Sequence, residues 1–271
     1  MTDAAPDEVV HLDISGGIAT ITLDSPRNRN ALSRQLTGEL EAHLEAALGD
    51  DAVRAVVLTH SGTVFCAGAD LKESRDANVA TARGDAPAPR RGGRGLPGMI
   101  DMIWQSPKPV VARVNGAVRA GGLGLMSACD FVIMKEDATM AFSEVRIGVV
   151  PAVISVVCLP RFSTLKGAEL MLTGDTFTAA EAAEWGFINR AVPADQLDAA
   201  VDGIIDSLKK CSPNALAETK KMARLVPTLS TGDAFKAMGE LSARMFATPE
   251  AREGMTAFAE KRDPSWVAEQ G

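Results

Sequence analysis

Hydrophobic and polar residues alternate in short segments through the first half of the chain and follow a helical period in the second half. Residues 9–24 form two alternating runs separated by Gly16 and Gly17, a pattern typical of a β-hairpin. Leucine recurs at every fourth position from residue 32 to residue 48, as on one face of an amphipathic helix. A short apolar run at 54–60 indicates a buried strand. This alternation of short strands with helices predicts an α/β fold.

From Ile154 onward the pattern is almost wholly helical, with one extended interruption at residues 186–192. We therefore predict an α/β core over residues 1–195 and a helical C-terminal region over residues 196–271. Residues 76–97 are rich in Ala, Pro, Gly and Arg and have no apolar period, which predicts a surface loop.

Composition narrows the function classes. The chain has 271 residues, 46% hydrophobic and 23% charged, with a net charge of −7, which argues against a nucleic-acid partner. No apolar run reaches the length of about 18 residues that a membrane span needs, and the N-terminus does not resemble a signal peptide. Four scattered cysteines without metal-binding spacing predict buried free thiols, no metal site and a cytoplasmic location.

The three histidines, His11, His43 and His60, lie in strand or helix patterns where we expect structural or solvated side chains. Acid–base chemistry is therefore expected from carboxylates, with help from backbone groups.

Two stretches pair a buried strand with a turn of small residues and a following helix, at residues 56–71 and 110–125. Such a turn presents backbone N–H groups at the start of a helix, where they can stabilise an oxygen that becomes negative during a reaction. Alternatively, the glycines only allow the helix to pack closely against the strand. The sequence leaves both interpretations open.

Glu144 stands in a strongly apolar stretch, residues 139–160, in which Arg146 is the only other charged residue. A desolvated carboxylate has a raised pKa, which suits proton transfer near neutral pH. Pairing with Arg146, or capping of a loop, is an equally open interpretation.

Five segments occur in the order and spacing of the crotonase (enoyl-CoA hydratase/isomerase) superfamily, and the resemblance extends over about residues 8–266. It implies a crotonase-like spiral of ββα units with a helical C-terminal section that mediates trimerisation. It also implies an acyl-CoA thioester as substrate, no separate cofactor, and a homotrimer or a hexamer. The five segments are FCAGADLKE, VNGAVRAGGLGL with the later ACD, SEVRIGVVP, AAEWGFINRAV and AFAEKRDPSW.

The resemblance also implies roles for individual residues. The N–H groups of Ala69 and Gly121 would form an oxyanion hole, and Glu144 would transfer protons. Arg27, Arg29 and Lys72 are candidates for coenzyme A phosphates, or else are solvated surface charges. Phe258 and Lys261 would reach the ligand of a neighbouring subunit. The positions implied to bind coenzyme A or substrate are Arg27, Arg29, Ala31, Ala67, Asp70, Leu71, Lys72, Gly122, Phe258 and Lys261.

Gly124 departs from the family pattern, because hydratases of the family usually have a second glutamate there. We expect hydration of a 2-enoyl-CoA thioester with Glu144 as the single acid and base, with Arg119, Ser155 or the 76–97 loop helping to place water. We also expect the missing side chain to leave room for a branched acyl group or a second water. The alternatives are a 3-to-2 enoyl-CoA isomerase and an acyl-CoA-binding homologue with little turnover.

Overall fold

The computed structural model describes residues 7–73, 75–76 and 94–268. Its strands form two sheets, and most neighbouring strands are parallel. The strands are β1 (Val10–Ser15), β2 (Ile18–Leu23), β3 (Ala55–His60), β4 (Val64–Cys66), β5 (Val110–Val114), β6 (Ala117–Arg119), β7 (Phe131–Lys135), β8 (Thr139–Ala141), β9 (Phe177–Thr178) and β10 (Arg190–Val192). The larger sheet has the order β1-β2-β3-β5-β7-β10, and the smaller sheet has the order β4-β6-β8-β9.

Helices cover the sheets and form the C-terminal part of the chain. They are α1 (Arg34–Gly49), α2 (Gly95–Gln105), α3 (Gly121–Ala128), α4 (Ala152–Cys158), α5 (Thr164–Thr173), α6 (Ala179–Glu184), α7 (Leu197–Lys209), α8 (Pro213–Leu225), α9 (Thr231–Phe246), α10 (Pro249–Glu260) and α11 (Ser265–Ala268). The α/β prediction is therefore confirmed. Within the described ranges, no helix combines the length and apolar character needed to cross a bilayer.

The predicted hairpin is present: β1 and β2 pair antiparallel, with Ser15 opposite Ile18. Gly16 and Gly17 both have positive φ, 53° and 77°, as a two-residue turn of this hand requires. The leucine-rich helix is α1, whose Leu36, Leu40 and Leu44 are fully buried, and Ser33 caps its N-terminus by accepting the Leu36 N–H.

The central strands of the larger sheet are buried on both faces because their side chains alternate between two helix layers. Val56 and Leu58 of β3 point into the main core, which also contains the apolar face of α1. Ala55 and Val57 point to the opposite face, where they meet Leu197 and other apolar residues of α7. A buried parallel strand with both faces covered needs this continuous apolar run.

Packing continues across the predicted boundary between residues 195 and 196. α7 covers one face of the larger sheet, and Lys220 of α8 forms an ion pair with Asp130 of the core. By contrast, α9 has no buried residue.

Two expectations need correction. Residues 95–97 of the predicted loop 76–97 lie in α2, because the apolar side chains that follow bury themselves from its first turns onward, and residues 77–93 lie outside the described residues. Cys66, Cys129 and Cys158 are buried free thiols, but Cys211 is exposed, since it follows α7 at the protein surface.

Candidate active site

The two small-residue turns lie side by side. β4 and β6 pair in parallel, with Val64 opposite Ala117 and Cys66 opposite Val118, so the segments after their carboxyl ends are neighbours. A β-carbon added to Gly68 would lie 2.8 Å from the Ala120 β-carbon and 3.7 Å from the Gly121 nitrogen. The structure therefore brings together the segments that carry Ala69 and Gly121.

Glu144 belongs to the same edge of the smaller sheet. β8 is parallel to β6, with Arg119 opposite Ala141, and a 3₁₀ turn (Ser143–Ile147) follows β8 directly. The carboxyl ends of neighbouring parallel strands meet at one edge of a sheet. Ala69, Gly121 and Glu144 thus follow the carboxyl ends of three adjacent strands, β4, β6 and β8, in turn.

The backbone at this edge is held in unusual conformations. Gly68 has φ of 89°, a value that glycine adopts readily, whereas Ala120 has φ of 48° and ψ of −124°, which is strained for a residue with a β-carbon. The Ala120 N–H donates to the Ala141 oxygen at 3.1 Å, and this bond to β8 helps to hold the strained residue. The unusual backbone conformation of Ala120 turns the chain from the end of β6 into the start of α3 at Gly121.

The N–H groups of Ala69 and Gly121 have no hydrogen-bond acceptor among the described residues. Their neighbours are engaged, since the Gly68 oxygen accepts from Leu32 N–H at 2.8 Å and the Gly68 N–H donates to Cys66 Sγ at 3.4 Å. Gly121 is the first residue of α3, and first-turn N–H groups have no partner inside a helix. Two unpaired donors at adjacent turns can stabilise a developing oxyanion.

Glycine allows close packing at three positions of α3, Gly121, Gly122 and Gly124. A β-carbon on Gly121 would lie 2.8 Å from Leu32 Cδ1, and one on Gly122 would lie 2.6 Å from the Cys66 β-carbon. The packing interpretation of the glycine turn therefore holds for Gly122, whose predicted contact with substrate stays a prediction.

The space beside Gly124 is filled, so the expectation of free volume there is wrong. A β-carbon on Gly124 would lie 2.4 Å from Ile154 Cγ2 and 2.8 Å from Ile100 Cδ1. Ile154 and Ile100 are buried side chains of α4 and α2 that meet over α3. Removal of a side chain at Gly124 lets these helices approach and leaves no room for an acyl branch.

Glu144 is half-buried, and its Oε2 atom is buried without a hydrogen-bond partner in the described part of the chain. Burial raises the pKa of the Glu144 carboxyl above its usual range. Arg146 instead donates to Asp175 Oδ1 at 2.6 Å and to the Thr173 oxygen at 3.2 Å. The pairing of Glu144 with Arg146 that the sequence left open is therefore not formed.

The two side chains proposed to help place water are engaged by the chain itself. The Arg119 guanidinium donates to the Thr139 oxygen at 2.6 Å and to Thr139 Oγ1 at 2.8 Å. The Ser155 hydroxyl donates to the Ala152 oxygen at 2.7 Å within its own helix. These bonds hold both groups in structural roles.

Exposed cations lie next to the Ala69 turn. The Ala67 N–H donates to the Arg29 oxygen at 3.1 Å, which joins the segment that carries Arg27 and Arg29 to the turn that leads to Lys72. The side chains of Arg27, Arg29 and Lys72 are exposed, and none forms an ion pair with another described residue. Such free cations at the mouth of a site can bind phosphate groups.

The remaining predicted contact residues have varied surroundings. The Asp70 carboxylate accepts the N–H groups of Glu73 and Lys72, and its pKa is lowered chiefly by the bond from Glu73, so it caps the following turn. Ala31 is buried, whereas Leu71 is exposed beside the turn. Phe258 is 88% exposed and Lys261 follows α10; the resemblance assigns both to the ligand of a neighbouring subunit.

Sequence reasoning missed Asn30. This buried residue has φ of 54°, and its Oδ1 accepts the Ser25 N–H at 2.6 Å while its Nδ2 donates to the Val64 oxygen at 2.7 Å. It holds the Arg27–Arg29 segment against β4. The only signal was a second asparagine in a turn-rich segment, since asparagine tolerates positive φ better than most residues.

His60 has the structural role that was expected of it. Its ring is buried against Phe65, and Nε2 accepts the Asn115 N–H at 3.1 Å at the start of the segment that leads to β6. Burial lowers the pKa of His60 from its ordinary 6.5 to about 4, so the ring is neutral at physiological pH.

Known proteins match nearly the whole length of the chain. A family model described as enoyl-CoA hydratase/isomerase matches residues 13–269. The carnitinyl-CoA dehydratase of Proteus mirabilis is 34% identical over 263 residues, which cover 95% of this chain and 97% of that protein. The mevalonyl-coenzyme A hydratase of Aspergillus fumigatus is 32% identical over 255 residues, covering 92% and 91%. The crystal structure of an enoyl-CoA hydratase/isomerase from Marinobacter aquaeolei is similar with a TM-score of 0.85 and 30% identity, covering 96% and 99%.

Proposed function

The chain belongs to the enoyl-CoA hydratase/isomerase family, and from this premise we propose that it adds water across the double bond of a 2-enoyl-CoA thioester. The observation that carries the proposal is the convergence of two free N–H donors and one desolvated carboxylate after β4, β6 and β8. The names of the two relatives describe removal and addition of water on an acyl-CoA, which also supports hydration.

In the proposed reaction, Glu144 takes one proton from water while the water oxygen bonds to C3 of the substrate. The electrons of the C2–C3 double bond move toward the thioester carbonyl, whose oxygen becomes an enolate oxygen. The N–H groups of Ala69 and Gly121 stabilise that negative charge. The protonated Glu144 then gives its proton to C2, the thioester carbonyl re-forms, and Glu144 returns to its starting state.

The environment of Glu144 suits both steps. A carboxylate with a raised pKa is a stronger base than an exposed one, and a general base works best with a pKa near the working pH. Removal of one oxyanion donor typically costs about 10²–10³ in rate, so the two backbone donors are expected to contribute strongly.

Substrate binding and assembly complete the proposal. Arg27, Arg29 and Lys72 would hold the coenzyme A phosphates, with Leu71 as an apolar neighbour. A homotrimer or a hexamer is supported by the exposed aromatic side chains of the C-terminal helices, since Phe235 and Phe258 are 77% and 88% exposed in the single chain. We further propose a reducing cytoplasmic compartment, which free cysteines support.

One observation favours a second candidate. Because Ile154 and Ile100 fill the space beside Gly124, Glu144 has no partner carboxylate there. A single carboxylate can take a proton from C2 of a 3-enoyl thioester and return it to C4, which moves the double bond to C2–C3 and forms the 2-enoyl isomer without water.

The ultraviolet absorbance of a conjugated 2-enoyl-CoA tests the proposal, with Glu144→Gln and, as matched control, Glu136→Gln at an exposed position before β8. Absorbance should fall with the wild type and the control, and about 10²–10⁴ more slowly with Glu144→Gln, the usual contribution of general acid–base catalysis. A rise in absorbance on a 3-enoyl-CoA would establish the isomerase instead. Tight binding of both thioesters without any change in absorbance would contradict both activities.

A further inference from the structure

A cavity of about 310 Å³ lies at the opposite end of α3 from Gly121. α2, α7 and α8 surround it, together with the segment that joins α3 to β7. Its apolar wall is formed by Trp104, Phe131, Leu208 and Leu216. A volume of this size falls at the small end of the range for sites that bind organic molecules, about 300–1,000 Å³.

The cavity carries an excess of positive charge. Arg161, Lys220 and Arg224 line it, and Asp130 is the only carboxylate among the described residues that do so. Asp130 is fully used: Lys220 Nζ and Arg224 Nη2 each donate to it at 2.7 Å. The Val110 N–H also donates to Asp130, at 2.8 Å.

Arg161 has no carboxylate partner among the residues that the structure describes. Its Nη2 donates to the Cys129 oxygen at 2.5 Å, and its Nη1 is 3.4 Å from the Phe187 oxygen. These carbonyls satisfy two donors but supply no full negative charge. Asp130 attracts the Arg161 guanidinium through space but forms no ion pair with it, so the cost of removing the hydration of Arg161 is only partly offset.

The guanidinium groups of Arg224 and Arg161 are close enough to repel each other. Burial lowers the pKa of Arg224, attraction to Asp130 offsets part of that effect, and repulsion from Arg161 lowers the pKa further. Arg224 is fixed in place by its bond to Asp130 and by stacking on the Trp104 ring, 3.8 Å from the ring centre. One anion between the two guanidinium groups would remove the repulsion and would bind through charge-assisted hydrogen bonds.

We propose that this cavity binds an organic monocarboxylate with an apolar tail, its carboxylate between Arg161 and Arg224 and its tail against Phe131, Leu208 and Leu216. The excess of positive charge favours binding of an anion, and the apolar wall favours binding of a hydrocarbon chain. The site shares no residue with the proposed acyl-CoA site, so the two can be occupied together and the inference stands independently of the proposed function.

Calorimetric titration of the full-length protein with octanoate tests the site. Octanoate should bind to the wild type and to Arg190→Gln, an exposed control on β10. Affinity should fall about tenfold or more in Arg161→Gln, the loss expected for one charge-assisted contact. It should fall comparably in Ala223→Leu, which fills the cavity from the surface of α8 and leaves every charge in place.

Four outcomes would overturn the proposal. Octanoate binding that butyryl-CoA displaces, with both cavity variants unaffected, would place the carboxylate in the acyl-CoA site. Octanol binding as tightly as octanoate would remove the role of the guanidinium groups. Inorganic phosphate binding as tightly as octanoate would reduce the site to a simple anion site, and no octanoate binding at all would reject it.

Discussion

The side chain of Cys66 occupies the space into which a β-carbon on Gly122 would project, since the two β-carbons would be 2.6 Å apart. Cys66 Sγ also accepts the Gly68 N–H. One buried side chain therefore contacts both turns, one residue away from each of the proposed oxyanion donors. We therefore expect the distance between Ala69 and Gly121 to depend on this contact.

Replacement of Gly122 by alanine should push α3 away from β4. We expect a loss of about 1–3 kcal/mol in the free energy of unfolding, as is typical of overpacking. We expect turnover to fall by about 10²-fold, because a displacement near 1 Å at reacting groups has that effect. Gly203→Ala is the control: nothing lies near that helical position, so it should stabilise the protein. Equal activity of the two variants would contradict the role given to Cys66.

Glu144 should set the acidic limb of the pH–rate profile. Because burial raises its pKa, kcat/KM should begin to fall at a higher pH than an ordinary carboxyl would give. The folded state binds this proton more tightly than the unfolded state, so ionisation of Glu144 destabilises the fold as the pH rises through that pKa. Glu144→Gln should therefore be more stable than the wild type at neutral pH, with the advantage disappearing below the pKa of an unfolded glutamate. Denaturant titrations of both proteins at neutral pH and below pH 4 measure this difference in the free energy of unfolding. The same difference at both pH values would contradict the raised pKa.

Gly124 and Ile154 should be energetically coupled. Gly124→Ala should destabilise the protein by about 1–3 kcal/mol, because its β-carbon would collide with Ile154 Cγ2. Ile154→Ala should cost about 2–5 kcal/mol through the cavity that it leaves. The double variant should cost less than both losses combined, since each change relieves the other. Strict additivity in denaturant titrations would show that the two residues do not share this space.

His60 should make the protein sensitive to mild acid. The pKa of His60 is about 4 in the folded state and 6.5 ordinarily. As the pH falls from 6.5 to 4, the ring is therefore protonated in the unfolded state and stays neutral in the folded state, which favours unfolding. The corresponding loss of stability between pH 6.5 and pH 4 is about 3 kcal/mol. His60→Gln removes this titration, so its stability should fall less steeply over the same range. Parallel curves for wild type and variant would contradict the assignment.

Local patterns predicted the local parts of this structure. Residues close together in sequence determine the hairpin at Gly16 and Gly17 and the leucine face of α1. The small-residue turns were also visible, because a strand, a glycine and a helix start follow one another directly. Glu144 was indicated only by its apolar surroundings and by the family resemblance, and the pairing of β4, β6 and β8 that brings it to the edge of the two turns was not visible in the sequence.

Contacts between distant segments could not be predicted in the same way. The space beside Gly124 is filled by Ile154, thirty positions later, and no local pattern states that α4 packs on α3 at that point. Arg146 forms an ion pair with Asp175 and not with Glu144, because the segment that follows α5 passes beside Arg146. The start of α2 at Gly95 was hidden by a segment whose composition resembles a loop.

The order of the larger sheet has a consequence for synthesis of the chain. Its strands stand in the sheet in the same order in which they leave the ribosome, so each new strand can join the edge formed by the one before it. Until β10 arrives, the nascent sheet ends in the open edge of β7, and an open edge can pair with other chains. A protein whose translation stopped before residue 190 would keep that edge exposed, and ribosome-bound chains of that length are where aggregation should begin.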